Sequence, residues 1–316
     1  MPKTKHKSVS TMPNISIIIP AFNEETNIIP AFERLSQALN GENFEIIFVD
    51  DGSTDGTALK IEALSQTQHQ VKGILLSRNF GHQAALKAGI DHAEGNCVIS
   101  LDCDLEHPPE LLPQMITLWR EGAEIVVSKR NNSPKLSLFK TWSSKVFYTF
   151  LNLISDVSVE PGTADFRLLD KKVVIACKSI TENELFWRGI IPWLGFTTKT
   201  LPYEPSQRLN GESKYTLTKM IKLSLAGITS FSIRPLYLSL YFGIFFATTS
   251  FIYLLYALGV KLFTKESVSG WASLIASVLL IGGVQLFILG VMGIYIGKLF
   301  IQSKGRPQYV IRQTFP

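Results

Sequence analysis

The chain lacks several features that would assign it to common classes. Three cysteines in 316 residues, Cys97, Cys103 and Cys177, are an odd number without metal-like spacing. That excludes a disulfide framework and reads as reduced thiols. No Gly-x-Gly-x-x-Gly follows the first apolar run, which disfavours a nicotinamide-type dinucleotide site. Gly52-Ser53-Thr54-Asp55-Gly56 lacks the Lys-Ser/Thr ending of a P-loop and reads as a turn capping the next helix. No aromatic-basic RNA motif or long basic run accompanies the net charge of +5. This argues against nucleic acid as a partner and suits a surface facing anionic lipid headgroups. After the basic, polar residues 1–14, the apolar run 15–19 is of strand length, too short for a signal peptide. The expectation is a flexible tail, then a domain that stays in the cytosol.

What the chain does have is a positive mean hydropathy concentrated in its final third. Residues 235–260 and 270–297 are two uncharged stretches, each longer than the roughly 20 apolar residues that cross a bilayer. Lys214, Lys219, Lys222 and Arg234 precede the first, and Lys298, Lys304, Arg306 and Arg312 follow the second. The short connection carries only Lys261, Lys265 and Glu266. Positive-inside bias therefore puts both termini and the preceding domain in the cytoplasm, with a multi-pass anchor in the cytoplasmic membrane. Gly293 and Gly297 form a small-xxx-small pair suited to close helix approach, within the hairpin or between subunits. Directly before the first span, residues 214–234 read as an interfacial amphipathic helix, with Leu217, Met220, Ile221, Leu225 and Ile228 on one face. A second amphipathic segment, 140–154, reads as a core-packing helix rather than one lying on the membrane.

Residues 15–213 mix short apolar runs, turns and helical spacings. Strands are expected at 15–19 (stopped by Pro20), 44–49, 71–76, 97–101 and 123–128, and helices at 26–39, 57–64, 81–93 and 108–119. This alternation predicts an α/β domain with a mostly parallel sheet and helices on both faces. Residues 298–316 are expected as a cytoplasmic tail.

Ligands of such sheets bind at the carboxyl ends of the strands. Those ends are acidic: Asn23-Glu24-Glu25, Asp50-Asp51, and Asp102-Cys103-Asp104. One acidic turn means little, since Asp and Asn favour turns and caps. Three at one edge would repel one another, and a divalent cation would offset that. In an extended Asp-x-Asp both carboxylates point the same way, and Mg²⁺ takes one or two carboxylates together with phosphate oxygens. His107, beside prolines at a helix entry, reads as a packing residue.

Three blocks together resemble the signatures of family-2 glycosyltransferases with the GT-A fold. They are Ile18-Ile19-Pro20-Ala21-Phe22-Asn23-Glu24-Glu25, Val49-Asp50-Asp51-Gly52-Ser53-Thr54-Asp55, and Asp102-Cys103-Asp104-Leu105-Glu106-His107-Pro108-Pro109-Glu110. Gly162-Thr163-Ala164-Asp165-Phe166-Arg167-Leu168 and Gln207-Arg208-Leu209-Asn210-Gly211-Glu212-Ser213-Lys214-Tyr215 resemble the polyprenyl-phosphate branch, which includes bactoprenol glucosyltransferases and dolichyl-phosphate mannose synthases. The resemblance implies that Pro20, Phe22, Glu24, Asp51 and Asp102 hold the nucleotide. It implies that Asp104, with Asp102 and Glu106, binds Mg²⁺ or Mn²⁺, and that Asp165 is catalytic with Arg167. Arg130, Arg208, Ser213 and Lys214 would meet the acceptor phosphate. The implied reaction transfers one hexose, glucose from UDP-glucose, to a polyprenyl phosphate such as undecaprenyl phosphate, with inversion. GDP-mannose as donor, a non-lipid acceptor, and a non-enzymatic scaffold are the alternatives. A homo-oligomer, a tetramer by family resemblance, is implied as well. The Gln-x-x-Arg-Trp block of processive synthases is absent, and Trp187-Arg188-Gly189 is a faint echo of it.

Overall fold

The computed structural model describes residues 14–104, 106–130, 163–203, 232–264 and 270–316. Both amphipathic segments, 140–154 and 217–228, lie outside the described residues, as do Arg208, Ser213 and Lys214. The chain divides into two compact units, one containing the sheet and the other the long apolar helices.

In the first unit the strands are β1 (Ile15–Ala21), β2 (Phe44–Asp50), β3 (Val71–Leu76), β4 (Cys97–Ser100), β5 (Ile125–Arg130), β6 (Thr163–Asp170), β7 (Thr198–Tyr203) and β8 (Ile311–Phe315). They form one sheet in the order β7-β5-β6-β4-β1-β2-β3-β8. The middle, β4-β1-β2-β3, is parallel. Burial of β1 and β2 on both faces explains their largely apolar runs, since helices cover a parallel sheet on each side. The buried polar Ser16 and Glu45 within them are joined by a hydrogen bond. One face carries α1 (Ile28–Ala38), α2 (Thr57–Thr67) and α4 (Leu112–Arg120), whose Ile28, Leu35, Ile61, Leu112 and Met115 join Ile17, Ile19 and Phe48 in the core. On the other face α3 (His82–His92) packs so closely on β1 that a side chain at Gly89 would collide with Ile18.

Pro20 does not stop β1; it pairs with Val49. The Ile18 carbonyl accepts the Leu101 N–H, so Pro20 faces the β4 side two residues on, past the last β4 pair, Ile18↔Ser100. No ladder N–H is needed there, so proline costs nothing.

The sheet's ends depart from the expected pattern. β6 is antiparallel to both β4 and β5, and β7 lies parallel to β5 at the edge. At the other end residues 311–315, expected within a tail of 298–316, form β8 antiparallel to β3. Phe315 fills the space over Gly73, and the Ser77 N–H bonds the Val310 carbonyl. Burying Phe315 and pairing the β3 edge is the physical reason these residues are not a tail. Two further helices, α5 (Lys171–Lys178) and α6 (Trp187–Trp193), belong to this unit.

The second unit contains α7 (Arg234–Thr264) and α8 (Trp271–Ser303), 31 and 33 residues long. At 1.5 Å per residue each spans roughly 45–50 Å. Arg234–Val260 and Ser277–Ser303 are apolar and long enough to cross a membrane, and most of their side chains, among them Phe245, Leu254, Leu286 and Leu299, are exposed.

Candidate active site

The loops after β1 and β2 are stitched together by their own polar groups. Asn23, with a left-handed φ of 57°, accepts the Thr54 N–H through Oδ1 and donates its own N–H to Ser53 Oγ. Glu24 donates its N–H to Thr57 Oγ1, and Glu25 accepts the Gly56 N–H at 3.1 Å. Asp50 accepts the Ser53 N–H, and Asp55 accepts the Thr57 N–H. Asp51, only 3% exposed, accepts the N–H groups of Phe80 and Gly81 at 2.7 and 2.9 Å. Gly52 is required where it stands: φ is 70°, and a side chain would collide with the backbone of Arg78 and Asn79. Burial raises the carboxyl pKa of Asp50 and of Asp51. Phe22 is 42% exposed beside this loop pair, an open aromatic face on which a base can stack.

The second cluster is made by the antiparallel insertion of β6. Register pairs Ser100 with Arg167, so the start of β6 runs alongside the end of β4. Ser100 Oγ bonds the Asp165 carbonyl at 2.7 Å, which fixes that alignment. Asp165 and Arg167 are alternate residues on one strand face, both buried, and they form an ion pair. Arg188 from α6 adds a second ion pair to Asp165 at 3.0 Å. Burial alone would raise the Asp165 pKa, but Arg167, Arg188 and His82 hold its carboxyl well below the usual range. Burial lowers the Arg167 pKa, against the pull of Asp165.

Asp102 lies next to this group. Its Oδ1 is 3.6 Å from His82 Nε2, which is also 3.8 Å from Asp165 Oδ2. His107, 5% exposed, accepts the Asp102 N–H at Nδ1 and stacks on Phe166 with ring centroids 5.3 Å apart. It is the packing residue the sequence suggests. Asp104 accepts the Glu106 N–H at 3.1 Å. Its pKa is raised, first by burial and further by the charges of Asp102 and Glu106. Among the described residues no group of three or more His, Cys, Asp or Glu is gathered as a complete cation cage. The donors present are nonetheless hard carboxylate oxygens under mutual repulsion. Mg²⁺ and Mn²⁺ take such a pair when phosphate oxygens complete their coordination, so Asp102 and Asp104 fit that class of ion.

The structure thus brings together Asp102, Asp104, Glu106, Asp165 and Arg167. Pro20, Phe22, Glu24 and Asp51 stand at the ends of β1 and β2 along the same sheet edge. Arg130 ends β5, in register with Tyr203. Sequence reasoning missed His82 and Arg188. A His directly after a glycine beyond the third strand, and the Arg of Trp187-Arg188-Gly189, were the available signals. The three cysteines are all free and buried; Cys97 and Cys177 are pushed up to about 12 by burial, and Cys103 also rises well above the usual thiol range. They are inert packing groups.

Comparison with known proteins bears on this arrangement. The family model "Glycosyl transferase family 2" matches residues 16–177. The chain is 42% identical over 302 residues to the uncharacterised glycosyltransferase YkcC of Bacillus subtilis, covering 95% of this chain and 94% of that protein. It is 40% identical over 301 residues to the bactoprenol glucosyl transferase of Shigella phage SfV, covering 94% and 98%. Among solved structures, S. aureus TarS 1-349 in complex with UDP-GlcNAc aligns over 69% of this chain and 66% of its own, with a TM-score of 0.48 and 18% identity. A matched model over half the chain, and relatives near 40% identity along almost all of it, fix the assignment: the chain belongs to glycosyl transferase family 2, a glycosyltransferase with the mostly parallel GT-A sheet.

Proposed function

We propose that this glycosyltransferase moves one hexose from a nucleotide sugar, UDP-glucose, to the phosphate of a polyprenyl phosphate at the cytoplasmic face of the membrane. The observation that carries the reading is the extent of likeness to the Shigella phage SfV bactoprenol glucosyl transferase, 94% of this chain. A match of that length takes in the acidic site and the apolar helices together. In this reading residues 15–213 bind donor and acceptor, 214–234 lie at the interface, and 235–260 and 270–297 anchor the protein. The charge bias of the flanks supports cytoplasmic termini, and Gly293 with Gly297 supports assembly of copies.

The chemistry follows from the residues. Pro20, Phe22, Glu24 and Asp51 frame the nucleotide, with Phe22 free to stack on the base. Asp102 and Asp104, with Glu106 beside them, would hold Mg²⁺ or Mn²⁺, which supplies charge neutralisation for the departing nucleoside diphosphate. Arg130, Arg208, Ser213 and Lys214 meet the acceptor phosphate. An acceptor oxygen attacks the anomeric carbon from the face opposite the diphosphate, so one C–O bond forms as the other breaks and configuration inverts. A phosphate monoester loses its second proton near pH 6, so at neutral pH it attacks without a base. This suits Asp165, whose two arginines keep it ionised and make it a poor proton acceptor. It orients Arg167, Arg188 and the reacting groups.

The test uses the purified full chain in nanodiscs with undecaprenyl phosphate and a panel of UDP-glucose, UDP-N-acetylglucosamine and GDP-mannose. The expected product, seen by mass spectrometry, is a hexosyl undecaprenyl phosphate that forms only with a divalent cation. Equal transfer to lipid-free acceptors would overturn the acceptor assignment, and undiminished transfer in chelator would overturn the cation's role.

A further inference from the structure

His82 opens α3 directly after Gly81, whose φ of 99° is one that side-chain-bearing residues rarely adopt. The loop before it is fixed from the sheet edge, because Asp51 accepts both the Phe80 and the Gly81 N–H. A buried carboxylate just after β2 therefore sets where this imidazole stands. From there Nε2 is 3.6 Å from Asp102 Oδ1 and 3.8 Å from Asp165 Oδ2, with 39% of the side chain exposed. Both separations exceed a hydrogen bond. Nε2 is nearly equidistant from the two carboxylates, beyond hydrogen-bond reach of either, and the side chain is open to solvent.

We infer that His82 recognises the transferred sugar, donating a hydrogen bond from Nε2 to a hexose hydroxyl seated between Asp102 and Asp165. The inference rests on the nucleotide-sugar reading above and adds a specificity residue to it. The surroundings select the ligand class. Two carboxylates border this space, and the nearby guanidinium groups of Arg167 and Arg188 are already engaged with Asp165. A phosphate placed here would face carboxylate oxygens on both sides. A hexose is neutral, and each hydroxyl can donate to a carboxylate while accepting from an imidazole N–H. The diphosphate then belongs on the other side of Asp102, with Asp104. A sugar whose hydroxyl points elsewhere leaves one of these groups unpaired, and enzymes use that penalty to discriminate strongly between substrates.

Calorimetric titration of the purified full chain, with Mg²⁺ and without acceptor, tests this. The ligands are UDP-glucose, UDP-N-acetylglucosamine, GDP-mannose and the bare diphosphates UDP and GDP. For the donor that the unaltered protein binds tightest, His82→Ala should weaken the nucleotide sugar about 10-fold more than the matching bare diphosphate, the size of one hydrogen bond to a polar partner. His82→Gln, which keeps an N–H donor, should recover part of the difference. It also carries the comparison by the same criterion if the alanine variant does not fold. An equal loss for sugar and bare diphosphate would overturn the inference, placing His82 on the phosphates or the cation. No loss for either would overturn it too. If the unaltered protein binds the bare diphosphates but no nucleotide sugar, the proposed function itself fails, and the inference with it.

Discussion

The carboxylates after β1 and β2 and those at the ends of β4 and β6 occupy one edge of one sheet, yet they are used differently. Glu25, Asp50, Asp51 and Asp55 accept backbone N–H groups and so hold three loops in place. Asp165 is held by two guanidinium groups, and Asp104 sits in a field of like charge from Asp102 and Glu106. The sequence places Glu24, Glu25, Asp50, Asp51, Asp102 and Asp104 toward one repulsive crevice that a cation would relieve. The structure divides them. Loop N–H groups offset the repulsion that Asp50 feels from Asp55 and Asp51 from Asp50, whereas Asp104 has one N–H, from Glu106, against the charges of both Asp102 and Glu106. Residue type therefore did not separate scaffold from chemistry; the partner of each carboxylate did.

The largest expected effect comes from Asp104→Asn. Removing one carboxylate of a two-carboxylate cation site should lower turnover by at least about 10²- to 10³-fold, the scale of losing a main electrostatic stabiliser. Thermal unfolding should stay near that of the unaltered protein, because neutralising Asp104 relieves repulsion. Near-normal turnover would move Asp104 into the scaffold set.

Arg167→Ala should come next. It leaves the buried Asp165 charge with weaker compensation, and breaking a buried pair typically costs ~3–5 kcal/mol. Both the unfolding midpoint and turnover should fall. Asp165→Asn should lose less, because the side chain still fits, although without charge-assisted contacts to the arginines.

A pH profile sharpens the same point. The folded pKa of Asp165 lies below its ordinary value, so its stabilising ion pairs are complete above the unfolded carboxyl pKa near 4. They weaken only as pH falls through the lower folded value. Between pH 5 and 8 its charge is constant. The rising limb of the rate should follow the acceptor phosphate near pH 6. A phosphonate acceptor of different pKa should shift that limb; a limb that stays put would restore Asp165 as a general base.

Asp51→Asn should cost about 1–2 kcal/mol of stability, since a single amide oxygen replaces a charged acceptor of two N–H groups. Chemical denaturation measures this. The smallest effect is expected from Glu25→Gln, which keeps an oxygen for the Gly56 N–H: under ~0.5 kcal/mol, with cation affinity unchanged. A marked loss of cation affinity in Glu25→Gln would erase the division between the two sets.

Much of the fold could be read along the chain. The runs at β1 to β4 are mainly apolar because the central strands are buried on both faces, and the helices between them show their core faces at helical spacing. The long apolar stretches of α7 and α8 were as plain. β6, β7 and β8 were not read as strands. Thr198–Tyr203 and Ile311–Phe315 are short and mostly exposed edge segments, and what makes them strands is a partner far away in sequence. Arg167 and Asp165 were found as a motif, but the direction of their strand was not. His82 was missed because its significance lies in two carboxylates, one 20 and the other 83 positions away.

The sequence by itself determined a parallel α/β core, two apolar helices and an acidic sheet edge, because burial periodicity and strand-end chemistry are local properties. Only the tertiary structure decided which carboxylates accept loop N–H groups and which are paired with arginines or crowded by like charge. The antiparallel insertion of β6 beside β4 places Asp165 against Asp102, and Asp51 fixes the loop that sets His82 between them. Those juxtapositions depend on pairing between segments far apart in the chain, such as β6 with β4, which a local pattern does not specify.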